Sequence, residues 1–145
     1  MSLDGAYDEE NIFAKILRGE IPCTRVHEDE ETLSFMDVFP QSPGHVLVVS
    51  KRSKARNLLE VEPDVLSGLI AQVQRHARAA REAFRPDGIS ILQFNGEAGG
   101  QTVFHLHFHV VPRYHGAPLG RHGQGGMADV AELQAQADAI AAKLT

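Results

Sequence analysis

Apolar side chains recur along this chain at two periods, and the switches between them mark its elements. Phe13, Ile16 and Leu17 share one side of a short helix predicted over residues 11–18 and closed by Gly19. Ile21-Pro22 then forces extended backbone. Residues 24–27 and 32–37 read as a hairpin around the acidic turn Glu28-Asp29-Glu30-Glu31. Pro40, Pro43 and Gly44 interrupt the pattern, and residues 45–49 follow as an apolar, β-branched strand suited to the middle of a sheet. Over residues 63–84 the period becomes helical, with Val65, Leu66, Leu69, Ile70, Val73, Ala77, Ala80 and Phe84 in step. Pro63 suits the first turn of that helix, and Arg85-Pro86-Asp87-Gly88 ends it. Residues 89–94 and 104–111 are the last two strands, joined by a glycine-rich turn. Residues 116–126 are glycine-rich and read as mobile. Residues 127–144 form a closing helix with Val130, Leu133, Ala137, Ile140 and Leu144 as its stripe. The order α-β-β-β-α-β-β-α predicts an α+β fold: a five-stranded, mainly antiparallel sheet with one long central helix and a C-terminal helix.

Composition narrows the setting. At 145 residues the chain suits one domain, 1–145, with residues 1–8 as an N-terminal extension. The net charge of −5 argues against nucleic-acid or anionic-membrane partners, both of which need basic surface. Cys23 is the single cysteine, so no intramolecular disulfide forms and a reducing compartment fits. The first twenty residues lack the apolar core of a signal peptide, and no run approaches the ~20 apolar residues of a membrane span. A cytoplasmic location is the expectation. His27 and His76 fall on predicted solvent faces.

The stretch His105-Leu106-His107-Phe108-His109-Val110-Val111 changes the picture more than any bulk property. In an extended strand alternate side chains share a face, so the three imidazoles lie in a row roughly 6.5 Å apart, with Leu106, Phe108 and Val110 behind them. A buried ring carries nitrogens that must find partners, so a core has no use for such a row. Three readings are open: a half-exposed strand with solvated histidines, a metal site, and phosphate chemistry with one imidazole as nucleophile. The upstream Asn95-Gly96-Glu97-Ala98-Gly99-Gly100-Gln101-Thr102 favours the third. Its glycines let backbone N–H groups approach an anion, and Asn95, Gln101 and Thr102 add neutral donors.

Gly100-Gln101-Thr102-Val103-Phe104-His105-Leu106-His107-Phe108-His109-Val110-Val111-Pro112-Arg113 resembles the signature of the histidine triad (HIT) family of nucleotidyl hydrolases and transferases. Four upstream blocks resemble the same family in the expected order: Asn11-Ile12-Phe13-Ala14-Lys15-Ile16, Glu20-Ile21-Pro22, Phe35-Met36-Asp37-Val38 and Pro43-Gly44-His45-Val46-Leu47-Val48-Val49. The resemblance covers about residues 9 to 115 and is greatest to the Hint-like bacterial branch.

The resemblance implies the histidine triad fold, a homodimer, and a purine nucleotide substrate. His107 is then the nucleophile, His109 protonates the leaving group, and His105 supports the row. Asn95, Thr102 and the backbone around Gln101 contact phosphate oxygens, Asp37 the ribose hydroxyls, and Phe13, Ile16 and Val38 the base, while His45 lies near the triad. The implied reaction is phosphoramidase-type: cleavage of a purine nucleoside 5′-phosphoramidate or acyl-adenylate at the α-phosphorus through a nucleotidyl-histidine. A dinucleoside polyphosphate hydrolase and a weakly catalytic nucleotide sensor are the alternatives. Arg113, His115, Arg121 and His122 read as solvated loop. Some members bind zinc through Cys-x-x-Cys in the first helix and a later histidine. Here Ile12-Phe13-Ala14-Lys15 and Lys51-Arg52-Ser53 stand instead, so no metal and no cofactor are expected.

Overall fold

The computed structural model describes residues 2–119 and 126–145. Asn11 caps the first helix, α1 (Ile12–Leu17), by accepting the Ala14 N–H at 2.9 Å. Strands β1 (Arg25–Glu28), β2 (Thr32–Met36) and β3 (Val46–Ser50) follow, then helix α2 (Pro63–Phe84), strand β4 (Gly88–Leu92), strand β5 (His107–Arg113) and helix α3 (Val130–Ala141). A single 3-10 turn (Glu97–Gly99) separates β4 from β5. The sheet order is β1-β2-β3-β5-β4, and every neighbouring pair is antiparallel. The expected α+β architecture is therefore the observed one.

Strand alternation divides the core in two. Val26, Met36, Val46, Val48, Phe108 and Val110 pack with Leu69, Val73 and Ala79 of α2 and with Leu133, Ala137 and Ile140 of α3. Leu33, Phe35, Leu47 and Val49 pack on the other face with Phe13, Ile16 and Leu17 of α1. In the β3–β5 ladder, His109 stands opposite Leu47 and His107 opposite Val49, which places both imidazoles on the α1 face. The two long helices thus insulate one side of the sheet, and the histidines occupy the other.

Several boundaries differ from the sequence reading, each for a local reason. β5 starts at His107, not 104, because residues 103–105 bend and the Leu106 N–H leaves the ladder to donate to Ala55 O at 3.0 Å. The strand runs on to Arg113 because β3 ends opposite Val110, so Pro112 has only β4 beside it. β4 stops at Leu92, where Gln93 turns to donate to the Asn95 side chain. α3 starts at 130 rather than 127: the Ala128 N–H is taken by Val38 O, and the Asp129 carboxylate caps the helix. The glycine-rich segment expected to be mobile lies partly outside the described residues, as do Arg121 and His122.

His76 corrects the sequence reading outright. It is fully buried in α2, where Nδ1–H donates to Gln72 O at 2.7 Å and Nε2 meets the Ser34 hydroxyl of β2 at 2.6 Å. Burial pushes its pKa from 6.5 down to about 4. His27 is half-buried and reaches Asp29.

Candidate active site

Three segments deliver the site: the Pro43-Gly44-His45 turn, the bend before β5, and the first residues of β5. Gly44 is required in the turn. Its φ is +91°, and a Cβ there would stand 2.7 Å from the Phe84 ring. With Gly44 in place, His45 enters fully buried.

His45 is oriented by tautomer logic. The Gln41 N–H donates to Nδ1 at 3.0 Å, which puts the ring proton on Nε2. From Nε2 the proton reaches His109 Nδ1 at 2.9 Å, with Asp37 Oδ2 at 3.4 Å from the same nitrogen. Accepting at Nδ1 leaves the proton of a neutral His109 on Nε2. His107 is fixed differently. Its Nδ1–H donates to the backbone carbonyl of His105 at 2.7 Å, so Nε2 carries the lone pair. The two rings lie 5.0 Å apart, and Phe13 presents an edge contact to His107 at 4.8 Å. His105 lies in the bend, outside the strand proper, yet its ring stays on the same side, 6.5 Å from Phe13. Its Nε2–H donates to Ser50 O at 3.2 Å, and burial holds its pKa near 4, so the ring is neutral. All three rings are buried.

The remaining residues divide. Asp37 is buried: Oδ1 accepts the Phe39 N–H at 2.8 Å and Oδ2 faces His45. Phe13 joins the histidines, whereas Ile16 packs one turn further along α1 with the Leu33 and Phe35 cluster. Val38 and Thr102 are exposed, and Asn95 is half-buried, its Oδ1 accepting the Leu58 N–H at 2.9 Å. The Gln101 side chain is turned inward, away from the strand histidines. Its amide donates to Arg56 O and Val103 O, its Oε1 accepts the Gly96 N–H, and its own N–H donates to Gly96 O. Gln101 staples the glycine turn from inside. Arg113 donates to Ser90, and His115 is exposed.

Ile12, Lys15 and Ser53 offer no thiolate or imidazole to a metal. A different trio does converge: one donor atom each from Asp37, His45 and His109, all within 4.8 Å of one another. Sequence spacing gave no hint of it, because these residues come from three separate segments. A divalent cation there would replace the His45 Nε2 proton and take His109 Nδ1 out of its present hydrogen bond.

A row of imidazoles on the α1 face of an α+β sheet, backed by a buried Pro-Gly-His histidine, defines the class as histidine triad. A family model for the HIT domain matches residues 18–116. The chain belongs to the HIT family. It is 42% identical over 106 residues to Protein hit of Bacillus subtilis, covering 73% of this chain and 72% of that one. It is 37% identical over 102 residues to adenylylsulfatase HINT3 of Arabidopsis thaliana, covering 70% of this chain and 51% of the relative. The crystal structure of a Hit-like protein from Bartonella henselae superposes with a TM-score of 0.91 at 45% identity, over 97% of this chain and all of that one.

Proposed function

We propose that this protein is a nucleotide-binding hydrolase that cleaves a purine nucleoside 5′-phosphoramidate or acyl-adenylate at the α-phosphorus, acting as a homodimer in the cytoplasm. The observation that carries the reading is the pair of opposite tautomers. His107 is pinned through Nδ1–H and holds its lone pair on Nε2, whereas His109 is pinned through Nδ1 and holds its proton on Nε2. One ring is set to attack and the other to donate.

In the first step His107 Nε2 forms a bond to the α-phosphorus, and the bond to the leaving group breaks. The leaving group departs with the proton from His109 Nε2. Water refills the His109 Nε2 position as its proton is given up, so the ring stays neutral and continues to accept at Nδ1 from the His45 Nε2–H, and the His105 carbonyl stabilises the positive charge on nucleotidyl-His107. In the second step water attacks phosphorus as the bond to His107 Nε2 breaks, the water's proton passes through His109 to solvent, and the nucleoside monophosphate leaves with His107 neutral again. The half-open turn at Asn95 and Thr102 supplies donors to the phosphoryl oxygens. Phe13 and Val38 support a base-binding role, and Asp37 a ribose-binding one. The relative named adenylylsulfatase favours adenylyl substrates.

The dimer reading rests on β4. It is an edge strand with Ile91 exposed, and Ile70 of the long helix is exposed as well, so a second copy would cover apolar side chains on a sheet edge and on α2.

The experiment is parallel turnover of adenosine 5′-phosphoramidate, adenylyl sulfate and a diadenosine polyphosphate. The phosphoramidate should turn over fastest. Exclusive turnover of the dinucleotide would overturn the substrate assignment.

A further inference from the structure

The N-terminal extension carries no family motif, yet it is built into the protein. The Leu3 carbonyl accepts from Asn57 Nδ2 at 3.0 Å and from Arg56 Nη1 at 3.4 Å, and the Ser2 carbonyl accepts from Arg56 Nη2 at 3.3 Å. The Arg56 guanidinium is buried between this segment and the Phe104 ring. Gly5 crosses directly over it, where a Cβ would stand 3.2 Å from Nη1. The Leu3 side chain closes against Gly96 of the glycine turn. Downstream, the Glu9 carbonyl accepts from Arg18 Nη1 at 2.6 Å, and the Asp8 carbonyl accepts from the Asn11 side chain at 2.7 Å. The segment is anchored on both sides of Tyr7.

At that point the Tyr7 hydroxyl lies 2.7 Å from His105 Nδ1, with the two rings edge-on at 5.8 Å. The bond has a defined polarity. The neutral His105 ring spends its one proton on the Ser50 carbonyl through Nε2. Nδ1 is therefore an acceptor, and Tyr7 must be the donor. The hydroxyl keeps its proton, since burial raises its pKa above the usual value of 10 and outweighs the lowering effect of the Asn11 side chain.

We infer that Tyr7 is a positioning residue of the active site: its hydroxyl locks His105 into the Nε2–H tautomer and so holds the neutral ring that flanks the nucleophile. The inference rests on the reading of His107 as nucleophile. His105 lies outside the β5 ladder, so strand pairing does not set its ring. It is set by the two hydrogen bonds at Nδ1 and Nε2. A neutral His105 matters because His107 becomes cationic when it is nucleotidylated, and a second charge on the adjacent ring would oppose that step. Without the hydroxyl, Nδ1 becomes a buried acceptor with no donor, and the ring gains access to the other tautomer and to protonation.

The test is Tyr7→Phe, which keeps the ring and removes only the hydroxyl. Two readouts are taken on the full chain: steady-state kinetics with adenosine 5′-phosphoramidate, and ¹⁵N spectra of labelled histidine rings, with melting temperature as the folding control. Expected is a fall in kcat of about fivefold or more, KM within about twofold of wild type, and an unchanged melting temperature. The His105 ring should shift from a single Nε2–H form to a mixture, and the acid limb of the kcat profile should move to higher pH. A wild-type kcat in Tyr7→Phe overturns the inference, and so does a fall in kcat with the His105 tautomer intact. His107→Ala separates this from the underlying reading. An active His107→Ala sinks the nucleophile assignment, whereas the tautomer measurement on Tyr7→Phe stands independently of turnover.

Discussion

At the scale of single residues the site depends on which nitrogen of each ring bears a proton, and backbone groups decide that. The His105 carbonyl and the Gln41 N–H are fixed by the backbone, so the opposite tautomers of neutral His107 and His109 are set by the fold. Two outcomes follow. His107→Ala should lose ~10³-fold or more in turnover while retaining nucleotide affinity, because the proposed base, ribose and phosphate contacts lie on other residues. Titration calorimetry with AMP checks the second half. His109→Ala should slow substrates with poor leaving groups far more than activated ones, and equal losses across a leaving-group series would contradict its role as proton donor. The HxHxH spacing disclosed the row and its shared face. It could not disclose the tautomers, which depend on Gln41 and on the exact bend at 103–105, nor Tyr7, a lone aromatic in an acidic segment with no spacing to connect it to residue 105.

At the scale of elements the helical period proved a better guide than residue type. Position 76 belongs to the stripe of Leu69, Val73 and Ala80, yet a histidine there suggested a solvent face. The structure follows the period, and the polar ring is accommodated by Ser34 and Gln72. Stability should record this. His76 has a pKa of about 4 folded against 6.5 unfolded, so between those values the unfolded chain binds the extra proton. Its contribution is fully present above pH 6.5 and is lost as pH falls towards 4, by about 3 kcal/mol at most. Urea midpoints at pH 7.5 and 5 should fall for the wild type and fall less for His76→Gln; identical slopes would contradict the assignment. Ser34→Ala should cost ~1–3 kcal/mol at neutral pH by leaving Nε2 without a donor. The Pro43-Gly44-His45 turn makes a parallel case. Gly44→Ala meets both a positive φ and the Phe84 ring, and should destabilise by ~2 kcal/mol or more in the same assay. Strand ends were the least legible features, because they are set by single hydrogen bonds such as Leu106 to Ala55 and Ala128 to Val38.

At the scale of the whole molecule the sheet separates packing from chemistry. α2 and α3 stabilise one face, and the other holds α1, the histidines and the N-terminal segment. Alternation and helical period made this division readable from the sequence. The convergence of Asp37 on His45 was not readable, because it depends on how the β2 and β3 ends meet. Among the described residues no helix is long and apolar enough to cross a membrane. Ile91→Glu on the exposed edge strand should convert a dimer to a monomer by sedimentation, and a wild type that is already monomeric would refute the proposed assembly. Because the reaction as written uses only imidazoles, turnover should persist in EDTA; its abolition would return attention to the Asp37, His45 and His109 trio. The central claim is that phosphorus is attacked twice, first by His107 and then by water. Its most direct test is the stereochemical course at the α-phosphorus of a chiral adenosine phosphorothioate substrate. Two in-line displacements predict net retention of configuration; inversion would mean that water attacks directly and that His107 is not the nucleophile.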